Sequence, residues 1–349
     1  MSMSPLLFFD STLRDGSHAV EQKLTLQNID DYCRDADAVG FHVIIVGHGN
    51  GLGASSLQVG LSMHSDEEML STAKKRLQKT KLGVFLIPGF GTISNNLKPA
   101  LDIGVDLVCV ASHCTEADVT CQHIGYVRAN NKDAYGILMS CHMATAEVLE
   151  KEALKMQEYG AMGVILMDSA GTSLPEQVSI KIQRLVHSLK IPVGYHAHNN
   201  LGMALYNSVA AVQAGAIIMD GTVRGFGAGA GNCQLEVLVA LLQMHGIETP
   251  VDLYKIMDLS ENIMPTLMKK DMGISPLSLI SGMSGVFSAF APHVKRAAER
   301  FHVDSRDIFI ELGKRRVVGG QEDMIVDVAM NLAQMAKKDN FNYTLEALL

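Results

Sequence analysis

Short apolar runs recur along this chain, and each is followed by a longer stretch in which apolar positions return at helical spacing. The runs are Leu6–Ser11, His42–Gly47, Leu82–Ile87, Asp106–Ala111, Tyr135–Cys141, Gly163–Asp168, Val193–His198 and Ile217–Thr222. Several are continuous rather than alternating, such as Val43-Ile44-Ile45-Val46 and Val164-Ile165-Leu166-Met167, as expected of parallel strands covered on both faces. The intervening segments carry helix formers, as in Asp66–Gln78 and Ala146–Glu158. Gly40, Gly104, Gly160 and Gly215 stand just before the next run. Eight strand-then-helix units over roughly 230 residues predict a (β/α)8 TIM barrel of the α/β class; an open doubly wound sheet has fewer strands and an N-terminal phosphate fingerprint.

The strand signals stop after about residue 250, where Val251–Met268, Val286–Phe301 and Gln321–Lys337 read as helices. This predicts a barrel domain over residues 1–258 and a helical C-terminal domain over 259–349. The uncharged stretch Pro276 to Val294 contains two prolines, two glycines and four serines, so it reads as helical core or interface rather than a membrane span.

Composition narrows the function classes. At 349 residues a sizeable core is available. The net charge of −8 is spread along the chain, with no basic block beyond Lys314-Arg315-Arg316, so a nucleic-acid footprint is not expected. Small molecules and proteins are the expected partners. Six cysteines without a C-x-x-C pair fit free thiols in a reducing compartment and hence the cytoplasm. Pro5-Leu6-Leu7-Phe8-Phe9 runs directly into Asp10 and is too short for a secretory signal, so it reads as a buried strand.

In such a barrel the chemistry sits at the carboxyl ends of the strands. Strand one ends in Asp10-Ser11-Thr12-Leu13-Arg14-Asp15-Gly16-Ser17-His18. Strand seven ends in Tyr195-His196-Ala197-His198-Asn199-Asn200, whose two histidines are spaced to project from one strand face. Asp15, His196 and His198 would fill three positions around a divalent metal and leave others open to substrate. The mixed oxygen and nitrogen set suits Mn²⁺, with Mg²⁺, Co²⁺, Fe²⁺ or Zn²⁺ as other occupants. Arg14 would stabilise negative charge developing on a 2-oxo acid, and His18 has the chemistry of a general acid or base near neutral pH. Taken singly, each has an ordinary reading: a hydrogen-bonded histidine pair, a surface ion pair, a solvated loop histidine. Ser169, after strand six, offers a hydroxyl. The run Gly225 to Asn232 is G-x-G-x-G-x-G rather than a nucleotide fingerprint and reads as a tight turn closing the barrel, so no nucleotide cofactor is expected. Cys114, Cys121 and Cys141 have His113, His123 and His142 nearby, a weaker pointer to a thiol or zinc site.

D-S-T-L-R-D-G-S-H-A at 10–19, M-D-S-A-G-T at 167–172, H-A-H-N-N at 196–200, G-A-G-N-C-Q-L-E at 229–236 and V-V-G-G-Q-E-D-M-I at 317–325 together resemble the 4-hydroxy-2-oxovalerate aldolase family. That family lies within the metal-dependent barrel superfamily of isopropylmalate synthases and hydroxymethylglutaryl-CoA lyase. The resemblance implies a class II aldolase cleaving 4-hydroxy-2-oxopentanoate, or a longer homologue, to pyruvate and a short aldehyde. It implies Mn²⁺ on Asp15, His196 and His198, enolate stabilisation by Arg14, proton transfer from the C4 hydroxyl to His18, and a hold on the carboxylate end by Ser169. It also implies an oligomer whose helical domain docks an acylating acetaldehyde dehydrogenase. The chain departs from the family at three places. Phe287 stands where the family has a tyrosine reaching the substrate, Glu21-Gln22 replaces a basic stretch after His18, and Phe85 and Ile87 stand where leucines flank the aldehyde pocket. Competing readings are an acyl-CoA-dependent Claisen synthase or lyase of the same superfamily, and a non-catalytic metal-binding barrel.

Overall fold

The computed structural model describes residues 5–336. Eight strands close into one parallel barrel: β1 (Leu7–Asp10), β2 (Val43–Ile45), β3 (Lys81–Leu86), β4 (Leu107–His113), β5 (Asp133–Met139), β6 (Val164–Asp168), β7 (Val193–Ala197) and β8 (Ile218–Gly221). Each strand pairs with the next, and β1 pairs with β8. All eight predicted runs are strands, with ends displaced by a few residues. β4 and β5 are the longest and stay paired as far as His113 and Met139.

The continuous apolar runs are explained by two separate burial sites. Phe9, Val43, Ile45, Ile165, Met167 and Ile218 fill the barrel interior, while Phe8, Ile44, Val164 and Leu166 point outward into the layer beneath the helices. Each such side chain contributes about 1.5–3 kcal/mol when fully buried, so both parities of a strand are held apolar. The helices of that outer layer are α1 (Leu26–Ala36), α2 (Asp66–Arg76), α3 (Lys98–Ile103), α4 (Cys121–Ala129), α5 (Ala146–Glu158), α6 (Pro175–Ser188), α7 (Ala204–Gln213) and α8 (Leu235–Met244). Thr25 and Ser65 start α1 and α2 by accepting the amides of Asn28 and Glu68, whose side chains reach back in capping boxes.

The C-terminal region is helical: α9 (Leu253–Asp258), α10 (Met264–Leu267), α11 (Pro276–Met283), α12 (Ala291–Phe301), α13 (Ser305–Lys314) and α14 (Asp323–Ala336). The single helix expected over Val251–Met268 is divided, with a π turn at Leu259–Ile263 before α10, because Pro265 lacks the amide that a continuous helix needs. The helix expected from Val286 begins at Ala291. Gly285, at φ +65°, turns the chain there, and the extended Phe287 leads into a short 3-10 turn at Ser288–Phe290. α13 was not anticipated from the sequence, and Lys337, the expected end of the last helix, lies outside the described residues. Val286, Phe290, Val294, Phe309, Leu312 and Val328 belong to a second core distinct from that of the barrel. Among the described residues no helix is long and apolar enough to cross a membrane. All six cysteines are unpaired.

Candidate metal centre and active-site cavity

The alternation of β7 decides where its histidines go. Val193, Tyr195 and Ala197 pack outward with the helices, so His196 and His198 face the barrel mouth. Asp15 begins a 3-10 turn directly after β1, with its amide bonded to the Ser11 carbonyl at 2.8 Å. The ligand atoms of Asp15, His196 and His198 all lie within 4.8 Å of one another, and the three residues are buried. This is the only such group of His, Cys, Asp and Glu among the described residues, so Cys114, Cys121 and Cys141 form no comparable set.

The residues fit a divalent cation. His198 has both ring nitrogens buried without a hydrogen-bond partner, and so does His196 at Nε2. Uncompensated buried nitrogens facing a carboxylate are what a ligand set looks like before the ion is added. The supporting shell follows from strand register. His196 is the Cα partner of Asp220 on β8, and Asp220 Oδ2 lies 3.1 Å from His196 Nδ1, which directs Nε2 toward the centre. Asp220 Oδ1 in turn accepts from Ser11 Oγ at 2.8 Å.

Asp15 is held from two sides. Its Oδ1 accepts from Arg14 Nη1 at 2.8 Å and its Oδ2 from Asn232 Nδ2 at 2.6 Å. Burial alone would raise the Asp15 pKa, but Arg14, followed by His198, His18 and His196, outweighs it and holds the carboxyl well below its usual range. The carboxylate therefore stays ionised and available as a ligand. The glycine run after β8 does more than close the barrel, since it carries Asn232 to Asp15. A side chain at Gly231 (φ +86°) would put its Cβ 1.9 Å from the Gly225 carbonyl oxygen, so the loop can be this tight only with glycine there.

Arg14 is 3 % exposed, with its guanidinium carbon 4.5 Å from the centre of the Phe85 ring. Its Nη1 also donates to the Gly49 carbonyl at 3.3 Å, while Nε is buried without a partner. His18 is ordered by Gln22. The Gln22 Oε1 accepts the Gly49 amide at 2.9 Å, which turns Nε2 to within 3.1 Å of His18 Nδ1. Nδ1 is then the acceptor, so the neutral ring carries its proton on Nε2. Burial, reinforced by Arg14 and His198, pushes the His18 pKa down to about 4 against the opposing pull of Asp15. His198 is likewise lowered to about 4, chiefly by burial. Both rings are neutral at physiological pH.

Phe287 lies between the two, its ring 5.8 Å from His18 and 6.1 Å from His198, edge to face in each case. The turn that carries it is pinned at both ends by the barrel. His142 Nε2 donates to the Gly285 carbonyl at 3.0 Å, and Asn200 Nδ2 donates to Ser288 Oγ. A cavity of about 320 Å³ opens beside the centre, lined by Arg14, Asp15 and His198 at one end and by Phe85, Ile87, Met139, Met167 and Val318 along its walls. Ser169 lines it too, with its Oγ accepting the Ser140 amide at 3.0 Å. The predicted site residues Arg14, Asp15, Ser169, His198 and Phe287 thus share one cavity. His196 is not among the residues lining it, and His18 lines the neighbouring cavity, with its ring edge to face against Phe287.

Sequence reasoning missed Asp220, Asn232 and Gln22. Ile218 faces inward on β8, so the same period of two would have placed Asp220 and Thr222 inward. Asn232 and Gln22 lie in loops, where no periodicity points at a partner.

Against known proteins, residues 6–263 match the family described as HMGL-like, and residues 272–334 match the DmpG-like communication domain. The chain is 53% identical over 323 residues to 4-hydroxy-2-oxovalerate aldolase of Spirochaeta aurantia, covering 93% of this chain and 95% of that one. It is 52% identical to the protein of the same name from Pectobacterium atrosepticum, covering 94% and 96%. Among solved structures, the N-terminal domain of a putative aldolase from Bacteroides vulgatus superposes with a TM-score of 0.69 at 23% identity, covering 81% of this chain and 94% of that one. The carboxyl transferase domain of Rhizobium etli pyruvate carboxylase with 3-hydroxypyruvate gives 0.80 at 16% identity, covering 96% and 61%, a likeness of fold.

Proposed function

The chain belongs to the HMGL-like family and, within it, to the 4-hydroxy-2-oxovalerate aldolases, and from that premise we propose how its residues divide the work. It is a carbon–carbon lyase, a metal-dependent pyruvate aldolase that cleaves 4-hydroxy-2-oxopentanoate or a longer homologue to pyruvate and an aldehyde. The observation that carries the reading is the buried Asp15, His196 and His198 set with its orphaned imidazole nitrogens, beside a cavity holding Arg14. Asp15, His196 and His198 would hold the ion, and the mixed oxygen and nitrogen donors favour Mn²⁺, with Mg²⁺ or Co²⁺ as substitutes. A bound divalent cation supplies a Lewis acid at the 2-oxo group.

The chain's own groups do the rest. As the C3–C4 bond breaks, its electron pair moves toward the C2 carbonyl, and the guanidinium of Arg14 stabilises the negative charge that develops there. Ser169, in the same cavity wall, holds the carboxylate end. His18 exchanges the proton of the C4 oxygen. In cleavage the neutral ring takes the hydroxyl proton and becomes imidazolium, and in the bond-forming direction the imidazolium gives that proton back to the aldehyde oxygen. The enolate regains a proton at C3 to leave as pyruvate. Phe287 packs the aldehyde half against His18 without a hydroxyl to bond it.

Residues 1–258 supply the reacting groups, and 259–349 add Phe287 and Val318 to the cavity wall and serve partner docking. The match of 272–334 to the DmpG-like communication domain supports an aldehyde dehydrogenase as that partner. The test is formation of pyruvate from 4-hydroxy-2-oxopentanoate with and without Mn²⁺, coupled to lactate dehydrogenase. Metal-dependent pyruvate is expected, and its absence with this substrate and with longer homologues overturns the reading. Thiol release from acetyl-CoA and a 2-oxo acid would instead mark a Claisen enzyme.

A further inference from the structure

A second cavity, of about 700 Å³, lies between the barrel mouth and the C-terminal helices. It shares no lining residue with the first. Phe287 lines the first and His18 the second, so the edge-to-face pair of rings, 5.8 Å apart, is the wall between them. The two cavities differ in character. The first has mostly apolar walls, and its charged lining residues are Arg14, Asp15 and Glu116. The second is ringed by Lys23, Lys269, Lys270, Lys295 and Arg296, with Glu21 as its single carboxylate.

That carboxylate is already spent, since Glu21 pairs with Lys23 at 3.2 Å. The neighbouring Asp271 is taken by Arg224 at 3.0 Å. Lys269, Lys270 and Lys295 pair with no carboxylate among the described residues. Among the described residues Arg296 Nη2 meets only the His293 ring, 3.0 Å away. Four uncompensated cations therefore surround one concavity on a chain whose net charge is −8. Like charges gathered at this density are self-repelling, and a concave low-dielectric wall focuses their field on whatever anion enters.

The proposed reaction has an asymmetry that matches. One half of the substrate is a 2-oxo acid with a permanent carboxylate, and the other is a neutral aldehyde. We propose that the second cavity is a carboxylate-collecting antechamber, where the anionic 2-oxo acid gathers before it passes His18 and Phe287 to reach Arg14 and Ser169, and through which pyruvate returns to solvent. The apolar walls of the first cavity meet the aldehyde half. This rests on the aldolase reading above. Collection by a field of this kind raises association rates about 10- to 1,000-fold and weakens steeply with salt, whereas the chemical step on the other side of the wall is untouched.

The experiment is steady-state aldol addition by the full-length Mn²⁺-loaded protein, with pyruvate varied at saturating acetaldehyde and then the reverse, at low and high ionic strength. Lys269→Glu/Lys270→Glu and Lys295→Glu are compared with Lys190→Glu, an exposed lysine in the loop before β7. The cavity variants should lower kcat/KM for pyruvate about tenfold at low salt and lose most of the wild-type salt dependence. Their kcat and their KM for acetaldehyde should stay unchanged, and Lys190→Glu should behave as wild type. Glutamine variants at the same positions should give a smaller effect of the same kind, which separates charge from folding. Cavity variants indistinguishable from Lys190→Glu, or equal losses for pyruvate and acetaldehyde, would overturn the proposal while leaving the aldolase reading intact. A wild-type protein without pyruvate chemistry would overturn that reading itself.

Discussion

Single residues at this site work through neighbours that fix their protonation. His48 shows the principle away from the metal set. It is 1 % exposed, its Nδ1 accepts the Asn50 amide at 2.9 Å, and its Nε2 donates to the Gly60 carbonyl at 3.0 Å, so only the neutral ring satisfies both. Burial, with His18 adding to it, lowers its pKa to about 4. Below the ordinary histidine value near 6.5 the unfolded chain binds a proton that the folded one refuses. The stability cost therefore accumulates as pH falls from about 6.5 to about 4, reaching on the order of 3 kcal/mol, and is absent above that window. Tm followed against pH should decline across the window in the wild-type protein and decline less in His48→Gln. Parallel curves would show that His48 does not carry this term.

At the scale of elements, the turn Gly285 to Ser288 decides how the substrate's aldehyde half is met. It belongs to the C-terminal core, yet His142 after β5 and Asn200 after β7 hold its two ends. Phe287→Tyr would place a hydroxyl between His18 and His198, and turnover or stereochemical preference at C4 should rise; a variant unchanged in both would show that the ring does not face the substrate. The elements were legible from the sequence to unequal degrees. The barrel strands were readable because both parities of each are apolar, and His196 and His198 because they keep the inward parity at a strand end. Asp220 obeys the same parity and could have been found. The break at Pro265, the start of α12 at Ala291 and the whole of α13 were not read, since short amphipathic helices around prolines and glycines give weak periodic signals. The tie of Asn232 to Asp15 was invisible because it joins two loops whose proximity only barrel closure creates.

For the whole molecule, the metal set is also a stability device. Buried nitrogens left without partners cost free energy that a bound ion recovers, so Mn²⁺ at a hundredfold excess over its Kd should stabilise the fold by about 2.7 kcal/mol. Chelation should lower Tm by several degrees and readdition should restore it, as calorimetry would record; an unchanged Tm on chelation would argue that the set holds no ion. The position of that set in the chain has a further consequence. Asp15 follows the first strand, His196 and His198 close the seventh, and the bonds that steady them, Ser11 to Asp220 and Asn232 to Asp15, span 209 and 217 residues. The centre straddles the seam where the barrel's beginning meets its end. During synthesis no ion can be gripped by these groups until nearly the entire barrel has left the ribosome, so metal capture reports completed closure rather than any earlier stage of folding.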